Sequence, residues 1–284
     1  MLAVLDGDVP GSGPPKVRGF ATILALVLAT EAWCRALALG DGYDVVSWAT
    51  LAAATGFAAA SFVPGWRRLA FAGLCANQLL AVAHDFPGAG NHAYLEVVLC
   101  ALVAFLDADD EEQCRIFLRA VRWIVCVVLL ASGFQKLAWG YWLDGQQLAY
   151  SLWIPSFRPV LAKLLPADEF ARVAAYAGQV GDGPYAIADP GFAMISNGIY
   201  LAEIALAGLL LWPRTRALAV GAALGLLVAI EIGAREVFFG LNFANALVLF
   251  LPAEVRRPAI GVAATACALL LLSRLSVIPS AVFY

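Results

Sequence analysis

Lys136 ends an apolar run, and aromatic side chains follow it closely: Trp139, Tyr141 and Trp142 lie within ASGFQKLAWGYWLDGQQL, residues 131–148. A lysine in such a setting does one of two things. It snorkels, carrying its ammonium to the membrane surface. Or it reacts, because an apolar pocket disfavours the charged form and leaves the amine ready to take a proton. Other proton-moving groups stand at helical spacing. His92 and Glu96 are four apart, so the carboxylate, one turn deeper, can set the imidazole tautomer. Glu31 with Arg35, and Glu231 with Arg235, share that spacing with the acid first, the favourable order for a helical ion pair. Each can be a self-neutralising clamp. Glu231 is also a candidate acid if desolvated, a role Arg235 opposes by favouring the carboxylate.

Helices in lipid must position these groups. The chain has 284 residues, 62% hydrophobic and 14% charged, with a mean hydropathy of +0.82. A soluble domain carries about 25% charged residues, so there is too little polar surface here for a water-soluble globule. A spanning helix needs about 20 mostly apolar residues. Nine segments qualify, at roughly 20–39, 45–63, 68–86, 91–107, 116–138, 192–212, 216–234, 236–252 and 257–278. Alternating segments of about ten residues, the mark of a β-barrel, are absent. The expected fold is all-α: a polytopic membrane bundle of about nine helices.

The basic residues orient it. With nine spans one face receives Lys16, Arg18, Arg67, Arg68, Arg115, Arg119, Arg122, Arg214, Arg216, Arg256 and Arg257, eleven of the eighteen. Positive loops stay inside, which predicts a cytoplasmic N-terminus, an outer C-terminus, and an outer loop over 140–191. That loop carries Pro155, Pro159, Pro166, Pro184 and Pro190, with a short helix expected at 168–180. Residues 1–15 read as a flexible tail and 16–284 as one membrane domain. The six cysteines have no CxxC spacing and mostly lie in apolar runs, so they read as small buried hydrophobes rather than zinc ligands or disulfides. No metal and no nucleic-acid partner is expected.

A charge inside a span costs about 3 kcal/mol on insertion scales, so each one needs a reason. With this topology the polar groups of six or seven spans fall at one depth, toward the outer side. Ser196, Asn197, Tyr200 and Glu203 line one helix face there. The pattern predicts a polar cavity with Lys136, His92 and Glu231 as its catalytic groups. Asn91, Tyr94, Glu96, Trp139, Trp142, Tyr200, Glu203, Arg235, Glu31 and Arg35 would contact the substrate.

Three stretches resemble a known family. GNHAYLEVVLCALVAFLDAD (90–109) is similar to the "NNHSYL…F…DA" stretch of the vitamin K-dependent γ-carboxylases, relatives of the bacterial horizontally transferred transmembrane (HTTM) proteins. FQKLAWGYWLDGQQL (134–148) resembles the segment "KKL-x-x-x-W-x-x-G", with Lys136, Leu137, Trp142 and Gly145 in place if one residue is inserted. FFGLNFANALVLFLP (238–252) resembles a late family helix. The resemblance implies that Lys136 acts as a base on a vitamin K-like prenylated quinol, with Asn91 and His92 matching the family's Asn–His pair. The late family histidine falls at Glu231, and a large lumenal peptide-binding domain has no counterpart before Tyr284. Peptide carboxylation is therefore not expected.

The leading expectation is a membrane-embedded enzyme of lyase or isomerase type, in the bacterial cytoplasmic membrane, doing acid/base chemistry on an isoprenoid lipid. Two versions stand. One is quinol deprotonation and oxygenation with Lys136 as base. The other is proton-initiated isoprenoid cyclisation of the terpene cyclase kind, with Glu231 or His92–Glu96 as acid. The alternative is a non-catalytic lipid- or quinone-binding or transport protein.

Overall fold

Structure is described for residues 11–39, 45–63, 65–87, 91–140, 142–143, 145–150, 158–175, 187, 189–234 and 236–277, in a computed structural model. Every element is helical, and the described residues contain no strand. In chain order the helices are α1 (Gly13–Leu39), α2 (Val45–Ala60), α3 (Arg67–Asp85), α4 (Asn91–Ala104), α5 (Glu111–Trp139), α6 (Gln146–Tyr150), α7 (Arg158–Leu164), α8 (Ala167–Ala174), α9 (Pro190–Leu211), α10 (Arg216–Ala234), α11 (Val237–Val248) and α12 (Arg256–Arg274). A helix stands at each of the nine expected spans. Among the described residues, four helices are long and apolar enough to cross a membrane: Gly13–Ala38, Glu111–Trp139, Pro190–Leu211 and Ala253–Arg274. Helices α4 and α11 have 14 and 12 residues, about 21 and 18 Å of rise against a hydrocarbon core of about 30 Å. Helix α3 carries Arg67, Arg68, Asn77, Gln78, His84 and Asp85 among its 19 residues.

The chain forms two compact units. One comprises Met1–Arg122 and Val237–Tyr284, the other Trp123–Glu236. In the first, α1 packs against α2, α11 and α12, and α3 against α2 and α4. The inner face of α1 is dry: Val17, Phe20, Leu24 and Val27 are buried, and Phe20 meets Phe117 edge-on at 5.4 Å. Arg122 is 1% exposed and donates to the Leu249 carbonyl from Nε (3.1 Å) and Nη2 (2.6 Å). It satisfies a carbonyl just past the end of α11, which would otherwise go without a donor.

In the second unit, α9 packs against α10. Leu148, Ala149, Leu165, Val173, Ile187 and Phe192 form a core with Trp142, Phe170 and Ile199 packed on it. The described part of the 140–191 connection is thus folded, and α8, Ala167–Ala174, overlaps the first half of the short helix expected at 168–180, whose residues 176–180 lie outside the described residues. Local chemistry sets the helix ends. Asp110 Oδ1 accepts from the backbone N–H of Glu112 (2.9 Å) and Gln113 (3.2 Å), capping α5. The Gln113 bond holds the Asp110 carboxyl below its ordinary range. Asp189 accepts from Phe192 N–H at 2.7 Å, and Pro190 opens α9. Gly140, with φ +74°, follows the last residue of α5, a left-handed stop that a side chain resists. All six cysteines are free, five of them buried.

Candidate functional site

Two clusters of ionisable side chains form, one in each unit. In the second, Lys136 stands in the last turn of α5. Its ammonium is ion-paired with Glu203 of α9 and donates to Ser132 Oγ at 3.1 Å. The Trp142 ring centroid lies 4.9 Å from Nζ, within the range of cation–π attraction. The side chains are 20% and 6% exposed, so the pair is largely sheltered. Glu203 Oε2 is buried with no donor on it. Around this pair Ser196 donates to the Trp142 carbonyl (2.6 Å), Asn197 to the Leu143 carbonyl (2.9 Å), and Tyr200 to Asn197 Oδ1 (2.6 Å). These bonds tie the turn after α5 to α9 and hold Trp142 in place. Gly133 makes the approach possible: a Cβ there would stand 2.6 Å from Ile204 Cγ1 and 2.9 Å from the Tyr200 carbonyl oxygen. A small residue lets the two backbones come close.

In the first unit, Glu31 and Arg35 of α1 form the expected i, i+4 clamp, with Nη2 2.6 Å and Nε 3.1 Å from Glu31 Oε1. Arg35 also reaches Asp85 of α3 at 3.2 Å. His92 of α4 bonds Glu31 through Nε2 at 3.3 Å. Its expected helix neighbour Glu96 is fully buried and held elsewhere, by Gln78 Nε2 (2.8 Å) and Asn242 Nδ2 (2.6 Å). A buried carboxylate must find donors, and these two amides supply them. A cavity of about 40 Å³ borders Glu31, Arg35, Thr50, Asn77 and Gln78.

The structure thus brings Lys136, Glu203 and Trp142 together, with Tyr200 one turn from Glu203. It separately joins Glu31, Arg35, His92 and Glu96. Glu231, on α10 in the second unit, has buried carboxylate oxygens. Trp139 and Tyr94 are 63% and 45% exposed, as expected of belt or lipid-facing aromatics. Asn91 opens α4 with its side chain outside the described part; Arg235 lies outside the described residues altogether. Gln78, Asn242 and Ser132 are contributors that the sequence reading passed over. Their signal was an uncharged polar residue inside an apolar run. No known protein family, curated protein or solved structure matches the chain.

Proposed function

We propose that the protein is a membrane-embedded enzyme that does acid/base chemistry on an isoprenoid lipid, with the Lys136–Glu203 pair as its proton-handling centre. The observation that carries this is a lysine and a carboxylate paired in shelter beneath an indole face. Within such a pair the ammonium can hand its proton to the carboxylate, leaving a neutral amine and a neutral acid, and either can then exchange a proton with a bound substrate. Lipid-facing apolar side chains flank it: Phe134 is 54%, Met194 76% and Leu201 55% exposed. Two reactions suit the pair. In one, the Lys136 ammonium first passes its proton to Glu203, the free amine then takes the proton of a prenylated quinol hydroxyl, and the quinolate is held beside the re-formed ammonium with its ring against the indole of Trp142. In the other, an acid protonates an isoprenoid double bond, the cation closes a ring, and a base takes a proton from the neighbouring carbon. Trp142 would then steady the cation, and Glu231 is the candidate acid in the same unit.

A non-catalytic reading has its own support. The Lys136 ammonium, with three donor sites, already has Glu203, Ser132 and the Trp142 face as partners. A lipid-binding protein needs no more than this to position a polar head. Mass spectrometry of lipids extracted with the purified protein, before and after incubation with prenylated substrates, separates the two. The enzyme converts the lipid and Lys136→Ala does not. A bound but unchanged prenyl lipid favours the binder, and phospholipid alone overturns both.

The same reading takes the chain as nine crossings of a bacterial cytoplasmic membrane, with the N-terminus inside. Within the first unit, contacts at the two ends of α1 support this alternation. Arg18 pairs with Asp109 at 2.6 Å, and Arg256 donates to the Pro15 carbonyl at 2.9 Å. Arg35–Asp85 and His92–Glu31 lie toward the other end. All four are pairs that nine alternating spans put on a common side.

A further inference from the structure

Two acids touch inside the first unit. The carboxyl groups of Glu31 and Glu96 are in hydrogen-bond contact, and the residues are 3% and 0% exposed. Glu31 Oε1 takes Arg35 and His92, while no described nitrogen or hydroxyl donates to Oε2. Each Glu96 oxygen takes one amide, Gln78 at Oε2 and Asn242 at Oε1. Two carboxylates offer each other only lone pairs, so their contact closes only through a proton. Placed on Glu96, that proton can supply the donor Glu31 Oε2 otherwise lacks, and both Glu96 oxygens keep an amide.

The surrounding groups agree with a single proton. Helix α1 brings Glu31, Cys34 and Arg35; α3 brings Cys75, His84 and Asp85; α4 brings His92, Glu96 and Cys100. Arg274 and Cys267 of α12 stand by Cys34, and α2 and α11 carry no titratable side chain. Arg35 is divided between Glu31 and Asp85. The groups hydrogen-bonded to Glu96 are two neutral amides and Glu31 itself. Like charges in contact and out of water do not both ionise.

We infer that Glu31 and Glu96 bind one proton between them, that this proton latches α1 to α4, and that His92 is its route to water. Two side chains link the pair to solvent, Arg35 at 40% and His92 at 25% exposure. A guanidinium stays protonated in proteins, whereas an imidazole passes protons near neutral pH. The proton moves from Glu96 to Glu31, and His92 takes it at Nε2 in the tautomer that leaves this nitrogen bare. The Nδ1 proton then goes to water. Its loss leaves two buried carboxylates in contact, and the first unit loosens where Gln78 of α3 and Asn242 of α11 meet them. The site is independent of the reading given to Lys136.

The test is infrared spectroscopy of the full-length protein in detergent at neutral pH, because a protonated carboxyl has a C=O stretch that a carboxylate lacks. Subtracting the Glu96→Gln spectrum from the parent's should leave that protonated band. The double variant Glu31→Gln, Glu96→Gln gives the same subtraction if the single one does not fold. A lost carboxylate band in its place would overturn the shared proton. His92→Phe should slow exchange of the band into deuterium oxide about 100-fold; an unchanged rate would overturn the route. Thermal unfolding reads the latch. The folded pair holds a proton that the unfolded chain gives up at lower pH, so stability is full in acid and falls as rising pH empties the pair. Beyond that point the parent should lose about 2–4 °C of Tm per pH unit relative to Glu96→Gln. Parallel Tm curves for the two proteins up to pH 10 would overturn the latch.

Discussion

Lys136 separates holding a charge from moving a proton, and arginine is the substitution that tells them apart. A guanidinium pairs with a carboxylate and stacks on an indole at least as well as an ammonium, yet it stays protonated in proteins. Lys136→Arg should therefore keep Tm within a few degrees of the parent while turnover falls about 100-fold or more. Lys136→Ala strands Glu203, which is 5% exposed; losing one member of a buried pair costs about 3–5 kcal/mol, a Tm drop on the order of 10 °C. Full activity in Lys136→Arg would end the base role and leave Lys136 as a positioning group. The types of these residues were legible in the sequence, but their pairings were legible only within a helix. Glu31–Arg35 followed from spacing alone. His92 has the same spacing to Glu96 and turns instead to Glu31, whose Oε1 lies 3.3 Å from its Nε2, while Glu96 is already met by Gln78 and Asn242. Lys136 and Glu203, 67 residues apart, obey no local rule. Uncharged amides such as Asn242 raise no alarm in a hydropathy profile, so they went unnoticed.

Helices α5 and α9 meet where Gly133 faces the backbone of Tyr200, and the Lys136–Glu203 pair depends on that closeness. The Ile204 side chain can move aside for a methyl group; the Tyr200 carbonyl cannot. Gly133→Ala should push α9 away, costing about 1–3 kcal/mol by overpacking and lowering turnover along with Tm. Gly208→Ala on α9 is the control, since a Cβ there meets nothing within 4 Å. That change should be neutral or stabilise by up to about 1 kcal/mol, because glycine disfavours a helix interior. If the two alanine variants melt together, the close approach does not hold the pair. The positions of the helices were readable from apolar runs of the right length. Their extents were less so: α4 stops at Ala104 and α11 at Val248, well short of a full crossing. The close approach at Gly133 could not be read at all, since a glycine in an apolar run marks a tight contact only once its neighbour is known.

The number of crossings is decided by which ends of the helices share a side. Suppose only the four long apolar helices cross. The basic loops then stay inside only if the N-terminus lies outside, and Arg18 and Asp109 fall on opposite sides of the membrane, as do Pro15 and Arg256. Twenty helical residues, about 30 Å, would separate each pair, yet the contacts are 2.6 and 2.9 Å. With nine crossings both pairs fall on the cytoplasmic side, together with the eleven clustered basic residues. The two counts agree on the 140–191 loop, which lies outside in either case, so labelling there reads orientation alone. They disagree on the N-terminus. Single cysteines introduced as Ser156→Cys and Leu5→Cys, probed with an impermeant maleimide in intact cells, separate them, and the native thiols give little background because five of six are buried. Nine crossings predict that Ser156→Cys reacts at once and Leu5→Cys only after permeabilisation. Reaction of both from outside would favour four crossings. Reaction of Leu5→Cys alone would invert the protein and put the Lys136 site on the cytoplasmic side.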